Sequence, residues 1–240
     1  AQELAMQGVA SLADDPQHRA ALAARERHLP APYNRSTLGT AEGIASLTRD
    51  TLVSWWTHNT RPGGTVLSAA GDVDHDALVE KIGTACADWE GRVDMPSIQG
   101  QPPRGYAHLD DDSSQVQILI VHDGPSQGHD DAHLEKLTIA VLSGGMSGRL
   151  FTEVREKRGL CYAVSSSYRA DKDRGVVSNY VGTTPERAQE SLDVLHNEIQ
   201  RINAGDVTQD ELSRSLTGLK SKLIFAGEST SARAGAIAAD

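Results

Sequence analysis

Cysteine, positive charge and long apolar runs are all scarce in this chain of 240 residues. The two cysteines, Cys86 and Cys161, fall in apolar-patterned stretches. A buried free thiol is the ordinary reading there, and a single disulfide is the alternative. Lys and Arg together number 23 against 33 Asp and Glu, a net charge of −10. That balance leaves no basic stripe, which argues against nucleic acid and anionic membranes as partners. A membrane-spanning helix needs roughly 20 consecutive apolar residues, and no stretch approaches that. The N-terminal "AQELAMQGVASLADDPQ" has neither a starting methionine nor the basic-then-apolar pattern of a signal peptide. It reads as a soluble chain cut from something longer, with its compartment unknown.

Ready-made catalytic sets are missing as well. There is no G-x-S-x-G elbow, and neither cysteine has an evident histidine partner. "LSGGMSG" (142–148) is glycine-rich, but no Lys-Ser/Thr follows to make it a phosphate loop, so it reads as a turn. The acidic "HLDDDSS" around Asp110, Asp111 and Asp112 reads as a solvated turn. "HDDAH" gives His129 and His133 the i, i+4 spacing that can bind one metal from one helix face. Zinc hydrolysis also needs a carboxylate base beside one of the histidines. Asp130 and Ala132 occupy the two places where Glu would stand. A surface or capping role is the plainer reading of the pair.

What the sequence does contain is the patterning of a folded chain. Hydrophobic residues make up 38% and charged residues 23%, ordinary for a protein with a core, and the length allows one large or two modest domains. Two helices are predicted before residue 30, split at "ADDPQ" with Pro16 in a first turn behind an Asp cap. Thr48 should cap a helix whose apolar side is Leu52, Trp55 and Trp56. "TVLSAAGDV" (65–73) reads as a buried strand, followed by a helix capped by Asp74 with Leu78, Ile82, Ala85 and Trp89 at helical spacing. "DMPSIQGQPPRG" (94–105) is the best linker in the chain.

Beyond it, "QVQILIVHDG" predicts a strand buried on both faces, then a helix over about 130–143 with Leu134, Leu137, Val141 and Leu142 inward. A short helix over 149–158 ends on Gly159, a suitable left-handed cap, with a basic last turn. "CYAVSSSY" and "GVVSNYVG" predict a hairpin around "RADKDRG". Two long helices close the chain, one striped with Leu192, Leu195, Ile199 and Ile202, the other opened by a capping box from Thr208 to Glu211 and striped with Leu212, Leu216, Leu219 and Leu223. The class is α+β, strands and long helices on an antiparallel-leaning sheet. Residues 3–26 and 218–240 share one rhythm, a helix, an acidic break and an alanine-rich helix with Arg.

Arg155 and Tyr162 flank the turn at Gly159. As structure, Arg155 makes surface ion pairs and Tyr162 packs in a core. As function, a guanidinium and a phenol are both donors suited to a peptide carbonyl or to the oxyanion that develops from it.

"LSGGMSGRLFTEVREKRGLCYAVSSSY" closely resembles the second-half signature of the pitrilysin/insulinase family of zinc metallopeptidases, which includes the mitochondrial processing peptidases. "PYNRSTLGTAEGIASLTRDTLVSWW" and "VLSAAGDVDHDALV" resemble that family's stretch between zinc site and linker. The resemblance implies two-layer α/β sandwich repeats, LuxS-like and processing-peptidase-like, arranged as halves of a chamber. Residues 1–95 would be the later part of the first repeat, 96–104 the linker, and 105–240 the earlier part of a second, substrate-clamping repeat.

Arg155 and Tyr162 match the family's substrate-holding pair, which faces a zinc site borne elsewhere. No H-x-x-E-H occurs in this chain, and the place of the third-ligand glutamate falls on Gly8, with Glu3 five residues away. The implied role is a non-catalytic part or partner subunit of a zinc metalloendopeptidase. It would be inactive alone, would hold no zinc itself, and would bind extended peptide. Its implied partners are a peptide or protein substrate and a zinc-bearing subunit or second copy. The alternative is a structural assembly subunit of the same family.

Overall fold

Three antiparallel strands organise the larger part of the molecule: β1 (Val116–Gly124), β2 (Cys161–Ala170) and β3 (Gly175–Thr183), in the order β1-β3-β2. The computed structural model describes residues 1–239. The remaining elements are α1 (Gln2–Ala13), α2 (Pro16–His28), α3 (Ala41–Ala45), α4 (Arg49–Asn59), α5 (His75–Ala85), α6 (Ala132–Ser143), a π-helical stretch (Phe151–Glu156), a 3-10 turn (Pro185–Arg187), α7 (Ala188–Asn203), α8 (Gln209–Glu228) and α9 (Thr230–Ala239). The chain divides into two compact units, each built from two stretches: Ala1–Ala41 with Ile98–Leu219, and Glu42–Ser97 with Lys220–Asp240. One boundary, Ser97/Ile98, falls inside the stretch read as a linker.

Alternation along the strands sorts the sheet of the larger unit into two faces. Ile118 and Ile120 of β1, Val164 of β2 and Val181 of β3 meet Leu142 of α6 and Leu195 of α7, with Leu150, Val154 and Leu160 completing the core. Asn179 is fully buried on this face. It is satisfied by Ser166, whose hydroxyl donates to Oδ1 at 2.7 Å, and by the Ile120 carbonyl, which accepts from Nδ2 at 3.3 Å. The opposite face carries Gln117, Leu119, Val121 and Asp123, and α2 packs against β1. His28, buried at the end of α2, sets Nε2 3.1 Å from Asp123, which also receives both Arg104 nitrogens at 2.9 and 3.0 Å.

The hairpin forms where the sequence predicts it. Asp171 closes the turn by accepting from the N–H groups of Asp173 and Arg174, both at 2.9 Å. The predicted helix at 149–158 is instead a π-helical stretch over Phe151–Glu156, whose wider turn is seen in the Lys157 N–H donating to the Thr152 carbonyl. Helix α6 begins at Ala132, two residues later than predicted, and Leu134 lies outward rather than inward. The capping box at Thr208 forms, with the Thr208 N–H donating to Glu211 at 2.9 Å and the Glu211 N–H donating to the Thr208 hydroxyl at 3.2 Å. Glu211 also accepts from Nε and Nη2 of the buried Arg149 at 2.8 and 2.7 Å.

In the smaller unit the caps form as predicted: Thr48 and Thr51 make a reciprocal box on α4, and Asp74 accepts from Ala77 N–H at the start of α5. Leu78, Ile82 and Cys86 are half-buried along α5. The strand expected at 65–73 does not form, and Val66 and Leu67 are exposed. A strand satisfies its backbone only through a neighbour. Among the described residues of this unit the pairing is limited to an isolated bridge between Gly63 and Arg92. Trp55 and Trp56, expected to form the apolar side of α4, are 61% and 64% exposed. Cys86 and Cys161 are both free thiols, half-buried.

Candidate functional site

The stretch from Phe151 to Tyr162 is held from below by its apolar residues. Val154 and Leu160 are buried in the core, and Gly159, at φ +60°, lets the chain reverse between them. The Leu160 N–H returns to the Val154 carbonyl and the Gly159 N–H to the Arg155 carbonyl, each at 3.0 Å, which closes the helical end. Five charged side chains, Glu153, Arg155, Glu156, Lys157 and Arg158, lie on the outer side of this stretch. Glu153 accepts from Lys157 at 2.7 Å and Arg158 at 2.8 Å, and both hold its carboxyl below the usual carboxylate range.

Arg155 is left over. It is exposed, its guanidinium lies 5.1 Å from the centre of the Phe151 ring, and among the described residues no carboxylate pairs with it. Burial pushes the thiol of Cys161 up, while the nearby charge of Arg155 draws it down.

Tyr162 enters from a bulge. Cys161 pairs with Thr183 and Ala163 with Gly182, so Tyr162 is the extra residue between them. As the residue after the core-facing Cys161 it carries its phenol on the face of Gln117, which is opposite Gly182 on the other neighbouring strand, and the bulge keeps Ala163 on that face while Val164 returns to the core. Gln117 Nε2 donates to the Tyr162 oxygen at 2.7 Å, and the Tyr162 O–H faces Gln117 Oε1 at 3.0 Å. The Tyr180 O–H donates to the same Oε1 at 2.7 Å. Burial, then the neighbouring Tyr162, pushes the Tyr180 phenol up from its ordinary value. Tyr162 is 43% exposed. The cluster is a set of donors at one end of the sheet. Arg155 and Tyr162 share the same short segment but make no direct hydrogen bond to each other.

Gln117, Tyr180 and Gly182 were not legible as site residues. Only the register, with Gly182 between Gln117 and Ala163, brings them to Tyr162.

His129 lies in the turn before α6, and its Nδ1 accepts from the Asp131 N–H at 3.1 Å, while His133 is in the first turn of the helix. The two histidines do not share a helix face. Among the described residues no group of three or more His, Cys, Asp or Glu could hold a metal. Gly8 sits within α1 with open space where a Cβ would be, and Glu3 is in the first turn of that helix. The described residues do not fit a zinc site. No helix among the described residues is long and apolar enough to cross a membrane.

The family described as the peptidase M16 inactive domain matches residues 46–219. An uncharacterized zinc protease of Streptomyces coelicolor is 28% identical over 208 residues, covering 82% of this chain and 45% of that protein. The chain thus spans about half the length of the curated relatives it matches. A peptidase M16 inactive domain from Pseudomonas fluorescens superposes with a TM-score of 0.80 at 24% identity, over 91% of this chain and 54% of that one. A protease from Helicobacter pylori gives a TM-score of 0.83 at 18% identity, over 99% of this chain and 60% of its own. These two likenesses establish the fold.

Proposed function

Because this chain belongs to the peptidase M16 inactive-domain family, we propose that it is the substrate-holding, non-catalytic part of a zinc metalloendopeptidase and binds extended peptide through Arg155 and Tyr162. The observation that carries this reading is the state of Arg155. Lys157 and Arg158 both pair with the one carboxylate of Glu153, while the Arg155 guanidinium stands exposed and without a carboxylate among the described residues. A cation without a carboxylate partner, on a helical stretch anchored in the core by Val154, is available to a ligand. A guanidinium donates to peptide carbonyls or to a terminal or side-chain carboxylate without needing a change of protonation. The half-exposed phenol of Tyr162 supplies a second donor from the same segment.

The peptide is held as an added strand, with main-chain hydrogen bonds giving affinity and side-chain pockets giving preference. Zinc, with its base, is supplied by another part of the same protein or by a partner subunit. The repeat division at 96–104 belongs to the same reading, with 105–240 as the clamping repeat. Replacing Arg155 with Ala in the full-length protein is expected to weaken binding of a fluorescent extended peptide by about 1.5–3 kcal/mol, the range for a charged hydrogen bond. Unchanged affinity in a variant with native circular dichroism would instead assign the chain a structural assembly role.

A further inference from the structure

The hydrogen-bond arithmetic around Tyr162 reaches further than the clamp. A phenol has one proton to give and can accept in return. The Gln117 amide N–H occupies the accepting side of the Tyr162 oxygen at 2.7 Å, so the phenol proton is the only donor left to it. That proton rests on Gln117 Oε1 at 3.0 Å, an oxygen that already accepts from Tyr180 at 2.7 Å. Tyr180, buried, draws the amide oxygen toward itself, and the amide nitrogen, turned toward Tyr162, also donates to Gln115 Oε1 at 3.3 Å. Gly182 makes the arrangement possible. A Cβ there would lie 2.5 Å from Cζ and the oxygen of Tyr162 and 2.5 Å from the Tyr180 oxygen, so the ring can cross the central strand only over a glycine.

We propose that Gln117 is a positioning residue for Tyr162: oriented by Tyr180 and given clearance by Gly182, it fixes the phenol so that its proton passes from the glutamine oxygen to a backbone carbonyl of the bound peptide. This rests on the reading of Tyr162 as a substrate-holding residue. The exchange is nearly free of reorganisation. The amide N–H stays on the phenol oxygen throughout and, by polarising it, strengthens the bond it gives. No covalent bond changes.

The test is a double-mutant cycle on the full-length protein, reading fluorescence anisotropy of a labelled extended peptide. Tyr162→Phe removes the proton, Gln117→Leu removes the amide at similar size, and the double variant combines them. Each single change is expected to weaken binding on the order of fivefold, the equivalent of one neutral hydrogen bond. The double variant should be no weaker than Tyr162→Phe alone, because Gln117 acts only through the phenol. Multiplying losses in the double variant, or no loss from Gln117→Leu, would overturn the positioning role and leave the clamp standing. No loss from Tyr162→Phe would overturn both. Should Gln117→Leu fail to fold, Tyr180→Phe in the same cycle gives the same decision, since it removes the hydroxyl that orients the amide.

Discussion

The larger unit contains one buried ionic cluster, and Arg149 is at its centre. Its side chain is 4% exposed, and the guanidinium reaches Glu211 at 2.7 and 2.8 Å and the Asp206 carbonyl at 2.7 Å, with the buried Glu198 4.0 Å away. Glu198 is shared with Arg201 at 3.0 Å. Removing one member of such a set leaves an uncompensated charge in a low dielectric, which is the costly case. Hydrogen bonds from Arg149, backed by the Thr208 N–H and hydroxyl, hold the Glu211 carboxyl down to about 2. A depressed carboxylate contributes its full stability above its unfolded value near 4.5 and loses it as pH falls toward 2. The variant Glu211→Gln is therefore expected to be less stable at pH 7, with the difference from the native protein shrinking below pH 4.5. Urea titrations at pH 7 and pH 3 would check it, and an unchanged gap between those two values would refute the linkage.

Among the elements, the hairpin is the most exactingly fitted. Gly175 begins β3 opposite both Gly124 and Ala170. A Cβ at Gly175 would meet the Pro125 carbonyl oxygen at 1.9 Å, a backbone atom that cannot swing aside as a side-chain tip can. The close approach lets the start of β3 and the chain after β1 lie together, where Tyr168 also donates to the Pro125 carbonyl at 2.6 Å. Gly175→Ala is expected to cost about 1–3 kcal/mol, the range for overpacking a tight site. Thermal unfolding against Gly128→Ala, where a Cβ meets nothing within 4 Å, is the control. Equal stability of the two variants would show that the turn relaxes freely.

For the whole molecule, the contrast between the two units sets the expectation. The larger unit has a continuous core, whereas in the smaller one Ile44 alone is a buried hydrophobic among the described residues. Val66, Leu67, Trp55 and Trp56 are exposed there, as are Leu223 and Phe225 of α8. So many exposed large apolar side chains in a unit with so small a core favour association. The 240-residue chain purified by itself is expected to self-associate. Static light scattering over a concentration series would show it, and a constant monomer mass would refute it.

Local chemistry was legible in the sequence because it depends on neighbours a few residues apart. The caps at Asp15, Thr48, Asp74 and Thr208, the left-handed Gly159 and the hairpin at Asp171 each need only a side chain within three positions or a glycine's freedom. The stripe of α7 and the family likeness were equally visible, since both are written along the chain. Tertiary structure decided the rest. Whether "TVLSAAGDV" becomes a strand depends on a partner for its backbone, which periodicity cannot supply. The partnership of Arg149 with Glu211, 62 positions apart, and the meeting of Tyr162, Gln117 and Tyr180 over Gly182 follow from register and packing. A pattern along the chain states what a residue prefers; only the folded sheet determines which distant residue it meets.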